Sequence, residues 1–427
     1  MEDRTPVNTS DFLVETIKTR PTNSRHMMKR VLEVGALAIL FGIIACFTMI
    51  IVSPIMEERF FPEPTSEVSF PEDPQTPLEE EVEPEDMLLE EEAETVPAVV
   101  EEPDGQTQLL RITYMLSEKA RECQDWLVEV TGVSNETSWL ESTGVRSNVT
   151  SGAIVADNGT ELLILTESAD LAGADFIEVT LAEGVTTQAV IKGEDKDAGI
   201  MIVAVAKEQV DPELLTDLLP VEMASSNNKK LVGSTVMALG SPNGIQGSVQ
   251  FGLVTAMGVE INSWDSNYRL VMTDMYGSSS PNGFLVNLKG QLVGILCNRY
   301  NEKSMENSIS ALGISELKKK IERMSNGEEI PLLGIKAIEV TEEVHIQDNI
   351  PYGAYVTNIK MDSPAMQAGI QAGDLIVSVG EKDVNSMYTL AYLLQQMKVD
   401  EKISVTLKRL SQGAYRDITL EITLSRQ

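Results

Sequence analysis

Few residue types in this 427-residue chain could carry acyl-transfer chemistry. A run of serines, Ser278-Ser279-Ser280, lies between two strand-like stretches. A serine hydroxyl at its free pKa is a poor nucleophile and needs an adjacent base, usually an imidazole. The chain has two histidines, and neither falls within residues 108–324, the region that holds these serines. His26 precedes a hydrophobic span, and His345 lies in a separate C-terminal stretch. A serine–lysine dyad would not need histidine, and Lys192 and Lys196 are near the relevant strands in sequence, but nothing marks either as buried. Of three cysteines, Cys46 sits in the hydrophobic span, and Cys123 and Cys297 read as two separate buried thiols rather than a disulfide framework. A catalytic thiolate would itself want a histidine in the same domain. Histidine and cysteine are too scarce for a metal-ligand cluster, so neither a metal nor a cofactor is expected.

The elements that must position any such chemistry follow in a clear order. Residues 1–30 are polar and end in a basic cluster, Lys18, Arg20, Arg25, Lys29 and Arg30. Residues 31–55 contain an uncharged apolar run over 34–52, close to the ~20 residues that cross a bilayer. A long leading region and no A-x-A-like cleavage site argue for a retained transmembrane helix over a signal peptide. Basic residues before the span, with Glu57 and Glu58 after it, put the N-terminus in the cytoplasm and the bulk of the chain outside. The expected location is therefore the cell membrane, single-pass. Residues 56–106 are rich in glutamate and proline and read as a disordered acidic linker, extended at roughly 3 Å per residue. The net charge of −33 leaves no basic face for phosphates and excludes nucleic acid as a partner.

From Trp126 onward, short apolar or alternating runs are separated by Gly, Asn and Asp, as in Leu162-Leu163-Ile164-Leu165-Thr166 and Ile200-Met201-Ile202-Val203-Ala204-Val205. This spacing predicts an all-β barrel or sandwich over 107–327, preceded by a short helix from Leu109 to Cys123. Ser315 to Met324 reads as a closing helix and Ser325-Asn326-Gly327 as a boundary turn. Residues 328–427 mix strands with one helix, Met387 to Met397, which carries Leu390, Leu393, Leu394 and Met397 at helical spacing. The sequons at Asn135, Asn148 and Asn158 would predict glycans in a eukaryotic secreted protein.

Two resemblances organise these elements. The run from Asp362-Ser363-Pro364-Ala365 through Gly369 to Gly373-Asp374-Leu375-Ile376-Val377 closely resembles the core of a PDZ domain of the bacterial protease-associated type. Such domains bind an extended peptide as an added strand, with a backbone loop capturing its C-terminal carboxylate. The resemblance puts that loop at Leu332-Leu333-Gly334-Ile335, with Leu333, Gly334 and Ile335 as binding residues, and makes Leu390 and Leu394 the opposite wall. The middle region resembles the trypsin-like domain of HtrA/DegP-type proteases. The matching landmarks are Gly152 to Val155, Leu239-Gly240-Ser241-Pro242-Asn243-Gly244, Thr273-Asp274, Leu285-Val286-Asn287 and Gly290 to Ile295. Together they imply a mainly β chain: a trypsin-like double β-barrel followed by an α+β PDZ domain, behind a transmembrane helix and linker. A homotrimer through the protease-fold domain is a further implication.

The chemistry is where this sequence departs from that family. The stretch Leu165-Thr166-Glu167-Ser168-Ala169-Asp170 places Ala169 where the base histidine belongs. Ungapped matching places Gly199 at the orienting aspartate, with Asp197 two residues away. Counting back from Leu285 places Pro281 at the nucleophile, in a loop one residue short, so that Ser280 is the fallback nucleophile. Proline has no N–H to serve as an oxyanion donor, and one such donor is worth roughly 10²–10³ in rate. The expectation is a tethered protease homologue without its catalytic triad. It would bind peptide C-termini or unfolded segments as an envelope adaptor, sensor or scaffold. The alternative is an active endopeptidase in envelope quality control with an atypical site.

Overall fold

The computed structural model describes residues 66–73, 105–136, 144–348 and 350–427. The apolar run at 34–52, the basic cluster and most of the acidic linker lie outside the described residues. Among the described residues, no helix is long and apolar enough to cross a membrane.

Helix α1 (Gly105–Glu122) leads into the first barrel. Its Leu109, Ile112 and Met115 are exposed, and Ala120 is its buried residue, so the helical spacing seen in the sequence does not mark a face packed on the described residues. The first barrel comprises β1 (Leu127–Glu136), β2 (Gly144–Asp157), β3 (Glu161–Glu167), β4 (Phe176–Thr180), β5 (Thr186–Asp195) and β6 (Ile200–Ala206). It closes in the order β1-β2-β3-β6-β5-β4, with β1 also pairing β4. Strand β6 is apolar throughout because nearly every one of its side chains is buried, whereas β4 alternates.

After helix α2 (Pro212–Leu215), the second barrel comprises β7 (Thr235–Ser241), β8 (Ser248–Ser263), β9 (Ser266–Tyr276), β10 (Asn282–Asn287), β11 (Leu292–Leu296) and β12 (Ser308–Gly313). It closes in the order β10-β11-β12-β9-β8-β7. The two barrels share a core in which Trp126 meets Phe284 edge-on, their ring centroids 6.1 Å apart. The expected mainly β, double-barrel architecture is thus present, and the closing helix is α3 (Lys318–Ser325).

The C-terminal domain has its own core. Its sheet runs β14 (Ile335–Glu339), β15 (Ala354–Ile359), β16 (Leu375–Val379), β18 (Lys402–Ser411) and β19 (Ala414–Thr423), with β17 (Lys382–Asp383) beside β16. Strand β13 (Pro331–Leu332) pairs β20 (Ser425–Arg426). Helices α4 (Glu342–Asp348), α5 (Pro364–Ala368) and α6 (Met387–Gln395) complete it. Helix α6 starts at the Ser386 cap, whose hydroxyl accepts from the Thr389 amide.

Part of the acidic linker departs from the expected spacer. Residues 66–73 run extended along the folded part. Val68 exchanges two hydrogen bonds with the Asn326 side-chain amide, at 2.9 and 2.8 Å, and Asp73 pairs with Lys318 at 2.6 Å. Val68 and Phe70 supply here the apolar surface that the Glu/Pro run lacks. Cys123 and Cys297 are separate, free and buried, and burial pushes the Cys123 thiol up to about 11.

Candidate functional site

The first candidate site lies between the barrels, where β3, β6 and the loop before β10 meet. Ala169 opens a tight turn after β3 and is exposed. Gly199 is buried just before β6 in the left-handed region, with φ 71°. A β-carbon at Gly199 would collide with the Arg299 guanidinium, which also donates to the Ala198 carbonyl. The Arg299 guanidinium thus occupies the space above Gly199. Glu167 is pushed up to about 7, chiefly by burial and further by Asp170, with Arg299 pulling it back.

The serine loop offers little to an acyl group. Pro281 is buried and Ser280 exposed. The amides of Gly277, Ser278 and Ser280 are taken up by Asn307 O, Pro242 O and Ser278 Oγ at 2.9, 2.9 and 3.2 Å. Neutral amides hold the loop in place. Asn282 Oδ1 accepts from the Ser151 N–H and hydroxyl at 3.2 and 2.9 Å, and Asn298 Nδ2 donates to the Ser279 and Glu306 carbonyls. Lys192 pairs with Glu161 at 2.7 Å, and Lys196 lies 4.0 Å from Glu194 with its side chain 83% exposed. Asp197 is turned away toward Gln427 and Lys360, at 3.1 and 3.9 Å. Among the described residues, the serine hydroxyls that donate to a carboxylate are Ser225 and Ser315, both to Asp73, outside this loop.

The second candidate site is the loop joining β13 to β14. Gly334 takes φ 90°, and a β-carbon there would run into Ser363, so glycine lets the chain turn with its amides facing one way. Three successive N–H groups converge on one carboxylate. Leu333 N lies 2.7 Å from Asp265 Oδ2, Gly334 N lies 2.8 Å from Oδ2 and 3.0 Å from Oδ1, and Ile335 N lies 2.9 Å from Oδ1. Asp265 sits at the two-residue turn between β8 and β9, in the left-handed region at φ 54°. Its own amide donates back to Ile335 O at 2.8 Å. Burial pushes its carboxyl up, while the three amides and Lys320 pull the other way. Beside it, the Lys336 ammonium lies 4.9 Å from the Trp264 ring centroid.

The sequence-derived binding residues therefore separate. Leu333, Gly334 and Ile335 form the amide nest. Leu390 and Leu394 lie fully buried in the C-terminal core with Leu333 and Ile335. A cavity of about 160 Å³ beside the hairpin is lined instead by Tyr388, Ala391, Tyr392 and Gln395 of α6, across from Ser266 and Asn267. Sequence reasoning missed Asp265 and Arg299. An aspartate in a hairpin turn is what the turn itself favours, and nothing in the sequence around Arg299 ties it to Gly199. Metal binding finds no cluster of ligands among the described residues.

Comparison with known proteins supports both domains. A family model for a trypsin-like peptidase domain matches residues 150–295, and one for a PDZ domain matches residues 331–424. A "Probable periplasmic serine endoprotease DegP-like" of Marinomonas sp. (strain MWYL1) is 27% identical over 288 residues, 65% of this chain and 58% of that protein. "Serine protease Do-like HtrB" of Bacillus subtilis (strain 168) is 26% identical over 306 residues, 65% of this chain and 62% of that protein. A DegP-like relative in Hahella chejuensis (strain KCTC 2396) is 30% identical over 283 residues, 64% of this chain and 56% of that protein. The chain thus spans less than two thirds of the length of these three relatives. Among solved structures, the HtrA-type protease AlgW with a decapeptide superposes with a TM-score of 0.52 at 19% identity, covering 73% of this chain and 98% of that one. That likeness concerns the fold.

Proposed function

We infer that this chain, an HtrA-type protease homologue with a trypsin-like domain and a C-terminal PDZ domain, works by recognition rather than by cutting. In this reading, the apolar run at 34–52 anchors it in the membrane. The PDZ domain then binds peptide C-termini or unfolded segments outside, as an envelope adaptor, sensor or scaffold. A homotrimer through the protease-fold domain belongs to the same reading, and mass photometry of the full chain tests it.

One observation carries the proposal: Arg299 packs on Gly199 where the base's carboxylate partner would stand. Among the described residues, no hydrogen bond joins a serine hydroxyl of this loop to a carboxylate, an imidazole or a lysine, so none is positioned to take its proton. The occupied amides at 277, 278 and 280, with proline at 281, also leave little to stabilise an oxyanion. Peptide recognition is supported by the convergent amides of Leu333, Gly334 and Ile335, which suit a carboxylate. AlgW is described with a decapeptide, consistent with that use of the fold.

The test is labelling of the full-length chain by a serine-directed fluorophosphonate, scored by mass spectrometry. The expected result is no stoichiometric adduct, with Ser280→Ala indistinguishable from wild type. Stoichiometric labelling at Ser280, lost in that variant, would establish an active endopeptidase with an atypical site and end this proposal.

A further inference from the structure

The amide nest of the PDZ domain is already full. Its three N–H groups bond the carboxylate of Asp265, which comes from the second barrel of the same chain, 68 residues upstream of Leu333. The match extends past the carboxylate. The Asp265 amide donates to Ile335 O at 2.8 Å, the kind of bond an added strand makes with the first residue of β14. Asn267 Nδ2 reaches Ala337 O at 3.3 Å, two residues further along the same edge. Strand β8 packs against β14 and β9 against α6, so the hairpin touches both sides of the peptide path.

We propose that Asp265 stands in for the α-carboxylate of a peptide C-terminus, so that a chain ending in a free carboxylate binds the PDZ domain only by displacing the β8–β9 turn. This rests on the peptide-recognition reading above and adds its regulation. Two carboxylates cannot share three amides, because like charges at that separation repel and each N–H has one direction to give. Closed and peptide-bound states therefore exclude each other, and apparent affinity falls by the fraction of molecules that are open.

The closed contact is built to be displaced. Around the turn, Asn262 Oδ1 and Asn267 Oδ1 are buried without a hydrogen-bond partner among the described residues, so this junction leaves polar atoms unsatisfied. A turn that leaves would regain hydration for these groups.

The experiment compares the full-length chain, in mild detergent, as wild type, Asp265→Gly and Asp265→Asn. Glycine removes the carboxylate and suits the positive φ, and asparagine keeps the side-chain shape without the charge. The probe is a fluorescein-labelled decapeptide pool randomised at its last three positions, as free acid and as C-terminal amide. Hydrogen exchange of the 333–335 amides is read in parallel. The expected result is that Asp265→Gly binds the free-acid pool at least about 10-fold tighter than wild type. Asp265→Asn should fall between them, the amide pool should bind poorly throughout, and the 333–335 amides should exchange faster in both variants. Equal affinity in wild type and both variants overturns the proposal, as does equally fast exchange of these amides in wild type. If the amides open in the variants and yet no variant takes either pool, peptide recognition itself is wrong. Asp265 is then a fixed tie between domains, and the proposal falls with that reading. Should Asp265→Gly fail to fold, Asp265→Asn carries the same comparison.

Discussion

At the scale of single residues, the region between the barrels is electrostatically rearranged. Glu167 is pushed up to about 7 from an ordinary value of 4.5, first by burial and then by Asp170. The folded state then holds a proton more tightly than the unfolded chain, so this group's contribution is present below pH 4.5 and is lost as pH rises through 7. Glu167→Gln should therefore leave stability unchanged near pH 4 and raise it by roughly 1–3 kcal/mol at pH 8. Urea unfolding of wild type and variant at the two pH values checks this, and a gain of equal size at both would refute it. Ala169, Gly199 and Pro281 were singled out from the sequence alone, because each falls beside strand residues that fix the count against the family pattern. Arg299 was not legible. It lies 101 residues from the carbonyl it bonds, and an isolated arginine after Asn298 has no local pattern.

At the scale of elements, α3 is the joint of the molecule. Lys320 lies buried between Asp195, at the end of β5, and Tyr268 of β9, with Nζ distances of 2.7 and 2.8 Å. Burial opposes its charge, yet Tyr268 and Asp195 together hold the ammonium well above its usual range. From the same helix, Arg323 donates to the Gln395 and Met397 carbonyls at 2.9 Å each, tying α3 to the end of α6. Lys320→Met strands a buried carboxylate, and the expected loss is about 3–5 kcal/mol. Denaturant midpoints measure it. Pairing the change with Asp195→Asn should recover most of the loss, and failure to recover would mean that packing, not charge, set the cost. The sequence pattern located α3 to within a few residues, since a helix reads out locally. What the helix joins depends on side chains from three other elements.

At the scale of the whole molecule, residues 66–73 are docked on the folded part. Asp73 accepts from Lys318 and Ser225 at 2.6 and 2.8 Å and also from Ser315, pinning residues 66–73 against the barrels and α3. Asp73→Asn should release this strap at a cost of about 1–3 kcal/mol. Limited proteolysis after Phe70 should then become faster, and an unchanged cleavage rate would count against a docked strap. By itself, the sequence determined the mainly β character of residues 126–313, the closing helix near residue 318 and the PDZ-like module behind it. Those features are written in runs of neighbouring residues, through side-chain alternation and glycine-marked turns. Only the tertiary structure decided that Arg299 closes on Gly199, that Asp73 meets Lys318 across 245 residues, and that Asp265 fills the amide nest at 333–335. The physical reason is that a carboxylate or guanidinium carries no mark of its partner. Which N–H groups or carbonyls it meets is set by where folding brings distant turns together.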